Sequence, residues 1–247
     1  MLRDDFYIVS IIPARSGSKG VVNKNLRKLS GVELMVWSIR ASLCTPKVNR
    51  TVVSTDSVEY VELAIRNGAE APFLRPKSIS RDTSTDLEMI LHCLEFFKLE
   101  GKIPDLIVHL RPTSPLRDPK KISEAINVAV MNKNKITALR SIQEMSETAY
   151  KTFEIEKNGK LVSAFTQSHD LDDSNLNRQA FPKTYLANGY VDIVIPEYIL
   201  SSKKIHGNSV IPFITETIIE VDSEFDLQQL ESMKELTQPY FNILFGG

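Results

Sequence analysis

Three short β-branched runs, FYIVSII, RTVVST and DLIVHL, each pass into a polar loop and then into a segment of helical periodicity. A period of two followed by a period of 3.6, repeated along the chain, is the pattern of βαβ units. A chain written this way folds as α/β, with a mostly parallel, Rossmann-like sheet flanked by helices. The expected helices are VELMVWSIRASLC, SVEYVELAIRNG ending on Gly68, STDLEMILHCLEFFKLEG ending on Gly101, and DPKKISEAINVAVM with Pro119 in its first turn. Ligands of such sheets bind beyond the carboxyl ends of the strands, which predicts that the loops PARSGSKG, STDS and RPTSPLR share one rim. A length of 247 residues suits a single domain over 1–247. The pattern changes at about 141–182, a polar stretch with KNGK as a hairpin turn. It reads as an inserted, β-rich excursion that packs on a second subunit, or else as a lid over the site. After it, YVDIVIP and TIIEVD read as two further core strands, and SEFDLQQLESMKEL as a closing helix with Ser223 as cap.

Charge and cysteine content remove several classes of function. Thirty basic and 31 acidic residues leave a net charge of −1, so no global basic field points to nucleic acid or a membrane surface. Any positive site must be local. Cys44 and Cys93 stand apart from any CxxC or Cys/His pattern, which argues against structural zinc or a disulfide framework and fits a reducing cytoplasm. The N-terminal MLRDDFY lacks the apolar core of a signal peptide, and no apolar run reaches the roughly 20 residues of a membrane span. A soluble, intracellular protein is expected.

The local positive pole is IIPARSGSKGVVNKN. Between Asp5 and Glu33 stand five cations, Arg15, Lys19, Lys24, Arg27 and Lys28, and no carboxylate. Ser16, Gly17, Ser18 and Gly20 leave backbone N–H groups open to an anion, and Arg15 and Lys19 can close on it from the sides, which suits a polyphosphate. A solvated basic loop is the plainer alternative. The loop matches neither GxxxxGK[ST] nor GxGxxG, so P-loop hydrolysis and hydride transfer lose support. Asp56 follows a strand end, where it could also cap the next helix; Arg75, Arg81, Arg111 and Arg117 bring guanidinium groups beside Thr113, Ser114 and other hydroxyls. Such a rim suits a nucleotide with a polar, acidic co-substrate, hence phosphoryl or nucleotidyl transfer. Magnesium prefers carboxylate oxygens, and Glu220 and Asp222, at i and i+2 of an expected strand, would share a face. A solvated strand edge is the alternative reading of that pair.

Together, IPARSGSKGVVNKN, VSTD, LRP followed by RDTSTD, RPTSPLR, ANGYVDI and EVDSEFDL resemble the acylneuraminate cytidylyltransferases, the CMP-sialic acid synthetases that also serve legionaminic, pseudaminic and related nonulosonic acids. The resemblance implies a nucleotidyltransferase sheet with an inserted dimerisation region, a homodimer, and transfer from CTP to a nine-carbon sugar acid with Mg2+ as cofactor. It implies Arg15, Ser18, Lys19, Lys24, Asn25 and Arg75 as nucleotide ligands, with Arg15 and Lys19 stabilising the leaving pyrophosphate and Asp222 with Glu220 holding the metal. Lys151, Arg178 and Asn188 match sugar-binding positions. The chain departs from the family pattern at three sites: Arg111 stands where Gln is common, Glu220 replaces the first Asp of the metal pair, and Asp192 stands where Tyr is frequent. Arg111 and Asp192 are thereby expected to flank the sugar pocket. Neighbouring readings are a cytidylyltransferase for the eight-carbon acid Kdo, a sugar-1-phosphate nucleotidylyltransferase, whose GxGTRL-type loop differs from ARSGSK, and a catalytically silent nucleotide-binding subunit.

Overall fold

The computed structural model describes residues 6–18 and 20–246. Strand β1 (Ile8–Pro13) runs into the basic loop, followed by the small hairpin β2 (Lys28–Leu29) and β3 (Val32–Glu33), then α1 (Leu34–Leu43), β4 (Arg50–Ser54), α2 (Val58–Arg66), α3 (Asp86–Leu99), β5 (Leu106–His109) and α4 (Pro119–Asn132). Strand β6 (Ala138–Glu144) is followed by the hairpin β7 (Phe153–Ile155) and β8 (Leu161–Ser163), then β9 (Tyr185–Val194), α5 (Pro196–Ser202), β10 (Val210–Thr215), α6 (Glu224–Ser232) and α7 (Lys234–Phe245). The main sheet has the order β10-β6-β9-β5-β1-β4. Only β9 runs against its neighbours, β5 and β6; the other pairings are parallel.

Alternating side chains feed two cores. Ile8, Ile12, Val53, Val108, Leu139 and Ile193 face α1, α2, α4, α6 and α7, while Val9, Ile11, Val52, Ile107, Ala138 and Val194 face α3 and α5. Strands buried on both faces explain the continuous β-branched runs of the sequence. The chain leaves β1 for β4 on one side and returns to β5 on the other, so the strand order reverses between β1 and β5. That switch opens a crevice at the carboxyl ends, between the basic loop and RPTSPLR.

Several expectations change. TIIEVD is not a strand: residues 216–222 are irregular, tied by Val221 N–H donating to the Thr113 carbonyl at 2.7 Å and Ile218 N–H to Gln143 Oε1 at 3.0 Å. Val221 is buried and Ile218 and Ile219 are partly buried against the core, but alternation alone does not say whether a backbone finds a strand to pair with. The added core strands are β6 and β10; Pro212 sits within β10, which is tolerated because β10 is an edge. The closing helix breaks at Met233 into α6 and α7. Strand β6 carries the sheet through Glu144 and β9 resumes it at Tyr185, so the excursion leaves the sheet over 145–184 and contains the β7–β8 hairpin turned at KNGK.

Candidate active site

The basic loop is held open from a distance. Asp56 accepts from Ser16 N–H at 2.7 Å and from its hydroxyl at 2.8 Å, while Ser57, not Asp56, caps α2 by accepting from Tyr60 N–H. The capping alternative for Asp56 therefore falls. Asn25, nearly buried, donates to the Arg15 carbonyl at 2.9 Å and closes the loop's far end. Gly20 backs onto the Asp222 carbonyl so closely that a Cβ would stand 2.8 Å from it.

Around this loop lies a cleft of about 400 Å³, lined by Arg15, Ser18, Lys24, Asn25, Arg75 and Arg111 together with Asp82, Thr85 and Asp86. Lys19 lies outside the described residues. The loop contains no acids, yet its cations have partners from afar: Arg15 pairs with Asp82 at 2.9 Å, Lys24 with Asp222 at 2.9 Å, and Arg27 with Glu224. These partially exposed pairs are individually weak and exchangeable. Arg75 is buried; one Nη donates to the Ser54 carbonyl at 2.8 Å, its Nε–H has no acceptor among the described residues, and burial pushes its pKa down.

The acidic pair adjoins the cleft without forming a strand face. Glu220 Oε1 accepts from the Ser114 hydroxyl at 2.9 Å, and it fits there only because residue 189 is glycine: a Cβ would lie 2.1 Å from that oxygen. Asp222 is 73% exposed, bound through one oxygen to Lys24. Asn188 is not at the cleft. Its amide donates to Gln143 Oε1 and Thr215 Oγ1 and accepts from Tyr190 N–H, where the register of β6 and β9 slips, and so shapes the bend that carries Gly189.

Arg117 is also no rim residue. Fully buried, it donates to the carbonyls of Tyr190, Arg111 and Gly189 and to the Ser38 hydroxyl, and burial lowers its pKa to about 9. It fastens the RPTSPLR loop to β9. Arg111 does line the cleft, held between Asp192 at 2.9 Å and Asp86 at 2.8 Å. Asp192 is 1% exposed and lies beneath it. Asp86, which closes the RDTSTD motif, and His109, Arg140 and His206, which the motifs pass over, gather around Asp192; the available signal was His109, Arg140 and Asp192 standing among the apolar residues of β5, β6 and β9. Lys151 and Arg178 stand elsewhere: Arg178 bonds Glu144 and the Met145 carbonyl at a separate concavity of about 770 Å³ on the excursion, and Lys151 lies over the Phe181 ring.

The sequence profile of a family described as Cytidylyltransferase matches residues 9–241. The CMP-N,N'-diacetyllegionaminic acid synthase of Legionella pneumophila is 30% identical over 237 residues, spanning 94% of this chain and 97% of that protein. The N-acylneuraminate cytidylyltransferase of Escherichia coli O18:K1:H7 is 30% identical over 223 residues, 90% of this chain and 50% of that longer protein. In fold, the chain resembles the solved CMP:2-keto-3-deoxy-manno-octonic acid synthetase complexed with CTP, with a TM-score of 0.66 at 13% identity over 94% of this chain and 99% of that one. On a match that runs from β1 into α7 and takes in every loop of the cleft, the chain belongs to the cytidylyltransferase family.

Proposed function

We propose that this chain activates a nonulosonic, sialic-acid-like sugar acid with CTP, giving the CMP-sugar and pyrophosphate. The observation that carries the reading is the convergence of Arg15, Lys24 and Arg75 with an open glycine loop at the switch-point cleft. In the reaction the sugar's anomeric hydroxyl oxygen bonds to the α-phosphorus in line, the α-phosphorus to bridging-oxygen bond breaks, pyrophosphate leaves with the electron pair, and the hydroxyl proton passes to solvent. Arg15, with Lys19, neutralises the charge that builds on the leaving pyrophosphate. Arg75 lines the same cleft, where its guanidinium adds to the positive wall that a bound nucleotide would meet.

The acidic pair fits a magnesium ion: two carboxylates, one of them well exposed, offer hard oxygens and room for water and phosphate. Asp222 and Glu220 would hold it, and when bound it supplies charge neutralisation at the phosphates. We assign the sugar acid to the side of the cleft at Arg111, with Lys151 and Arg178 reaching it from the second subunit of a homodimer. Support for that assembly comes from Phe153, Ile155, Leu161, Phe165 and Leu186, exposed apolar side chains on and beside the excursion. Free Cys44 and Cys93 fit a cytoplasmic setting, and no helix among the described residues is long and apolar enough to cross a membrane.

The test is pyrophosphate release from CTP and magnesium with sialic, legionaminic, pseudaminic and Kdo acids. Release with a nine-carbon acid is expected. Turnover with Kdo alone would move the assignment to the eight-carbon acid, and silence with every acid would leave a binding-only subunit.

A further inference from the structure

Two of the chain's departures from the family pattern, Arg111 and Asp192, lie 81 positions apart in sequence and meet in one ion pair. Asp192 stands opposite His109 of β5 and Arg140 of β6, so the three form one row across the sheet. The row beneath it, Ile107, Val194 and Ala138, is apolar and packs on α3 and α5. The polar row is thus the last rung before the carboxyl rim, below the start of α3, where Asp86 stands. His206, following α5, brings Nε2 to 3.7 Å from Asp192 Oδ2, and Arg140 Nε lies 3.8 Å from Oδ1.

A carboxylate with 1% exposure meets no ligand directly, and it is costly to bury unless something is gained from it. What Asp192 does is grip Arg111 Nη1 from below while Asp86 grips Nη2 from the side. Arg111 is left with its long side chain immobilised at the cleft wall, its charge offset by two carboxylates and its remaining N–H groups available. An arginine free to swing would not present a fixed donor plane; one pinned at both ends does.

We propose that Asp192 is a positioning residue: it fixes Arg111 against Asp86 so that the two form one wall of the sugar-acid subsite. The proposal rests on the reading that the sugar acid binds beside CTP in this cleft. It is tested with the full chain and three variants, Asp192→Asn, Arg111→Gln and the double variant, by steady-state kinetics in which CTP and the sugar acid are varied separately. Asp192→Asn is expected to raise the KM for the sugar acid about tenfold, the weight of one hydrogen bond to a charged group, with the KM for CTP unchanged. Arg111→Gln should do the same, and the double variant should be no worse than Arg111→Gln alone, because Asp192 has nothing left to position. Equal rises in both KM values, a loss confined to kcat, or multiplying effects of the two substitutions would overturn the proposal. Should the unaltered protein release no pyrophosphate with any sugar acid, the functional reading fails instead. The link between the two residues is then read from thermal unfolding of the same four proteins, where a double-variant loss smaller than the sum of the single losses supports it and strict additivity overturns it.

Discussion

Gly189 shows how one missing side chain places a charge. Its Cα lies where any methyl group would enter the space of Glu220 Oε1 and Ser114 Oγ. Gly189→Ala should therefore displace the Glu220 carboxylate and lower turnover at least tenfold, the scale of a single misplaced catalytic group, while circular dichroism and the unfolding midpoint stay near those of the parent. A variant with parental turnover would remove Glu220 from the site. Asp56→Ala should act differently: the loop loses two hydrogen bonds at Ser16, worth about 1–3 kcal/mol, and the effect should appear in the KM for CTP and not in the KM for the sugar acid. At this scale the cations were legible in the sequence because they cluster in one loop. Their counter-charges were not: Asp82, Asp222 and Glu224 come from distant segments, and only the fold brings them to Arg15, Lys24 and Arg27.

Among the elements, α3 matters most to the cleft, because its first turn carries Asp86. Thr85 and Glu88 form a capping box there, Thr85 accepting from Glu88 N–H and Glu88 from Thr85 N–H. Thr85→Ala should cost about 1 kcal/mol of stability, read by urea unfolding, and should weaken substrate binding by loosening Asp86. Helices α1 to α4 were legible from sequence to within a few residues, and α2, α3 and α4 start on the side-chain caps Ser57, Thr85 and Asp118. TIIEVD misled for a non-local reason: Gln143 and Thr113 take the hydrogen bonds that a neighbouring strand would have taken. The bend at Asn188 and Gly189 was equally hidden, since nothing in ANGYVDI marks where β9 slips against β6.

For the molecule as a whole, the buried row beneath Arg111 couples the site to pH. Burial, reinforced by Arg111, pushes His109 from its ordinary 6.5 down to about 4, against the pull of Asp86 and Asp192. The folded chain therefore takes up this proton later than the unfolded chain does as pH falls. Stability from this source is complete above 6.5 and is lost as pH falls toward about 4, at a limiting slope on the order of 1 kcal/mol per pH unit. Asp192, held near 2 by His206, Arg111 and His109 against the cost of its burial, gives way only below that window. His109→Gln should flatten the slope in urea-unfolding measurements across it; an unchanged slope would place its origin elsewhere.

The pairing of Lys24 with Asp222 and of Arg27 with Glu224 also bears on synthesis. As the chain emerges from the ribosome, the residues that balance Lys24 and Arg27 follow them by 198 and 197 positions, and the carbonyl on which Gly20 rests belongs to the same late segment. At about 5–20 residues per second, the nascent chain spends on the order of ten seconds as an incomplete receptor, its cations exposed to any polyanion nearby. Completion of the candidate site therefore waits on the segment at Asp222 and Glu224, however early its most recognisable residues are made.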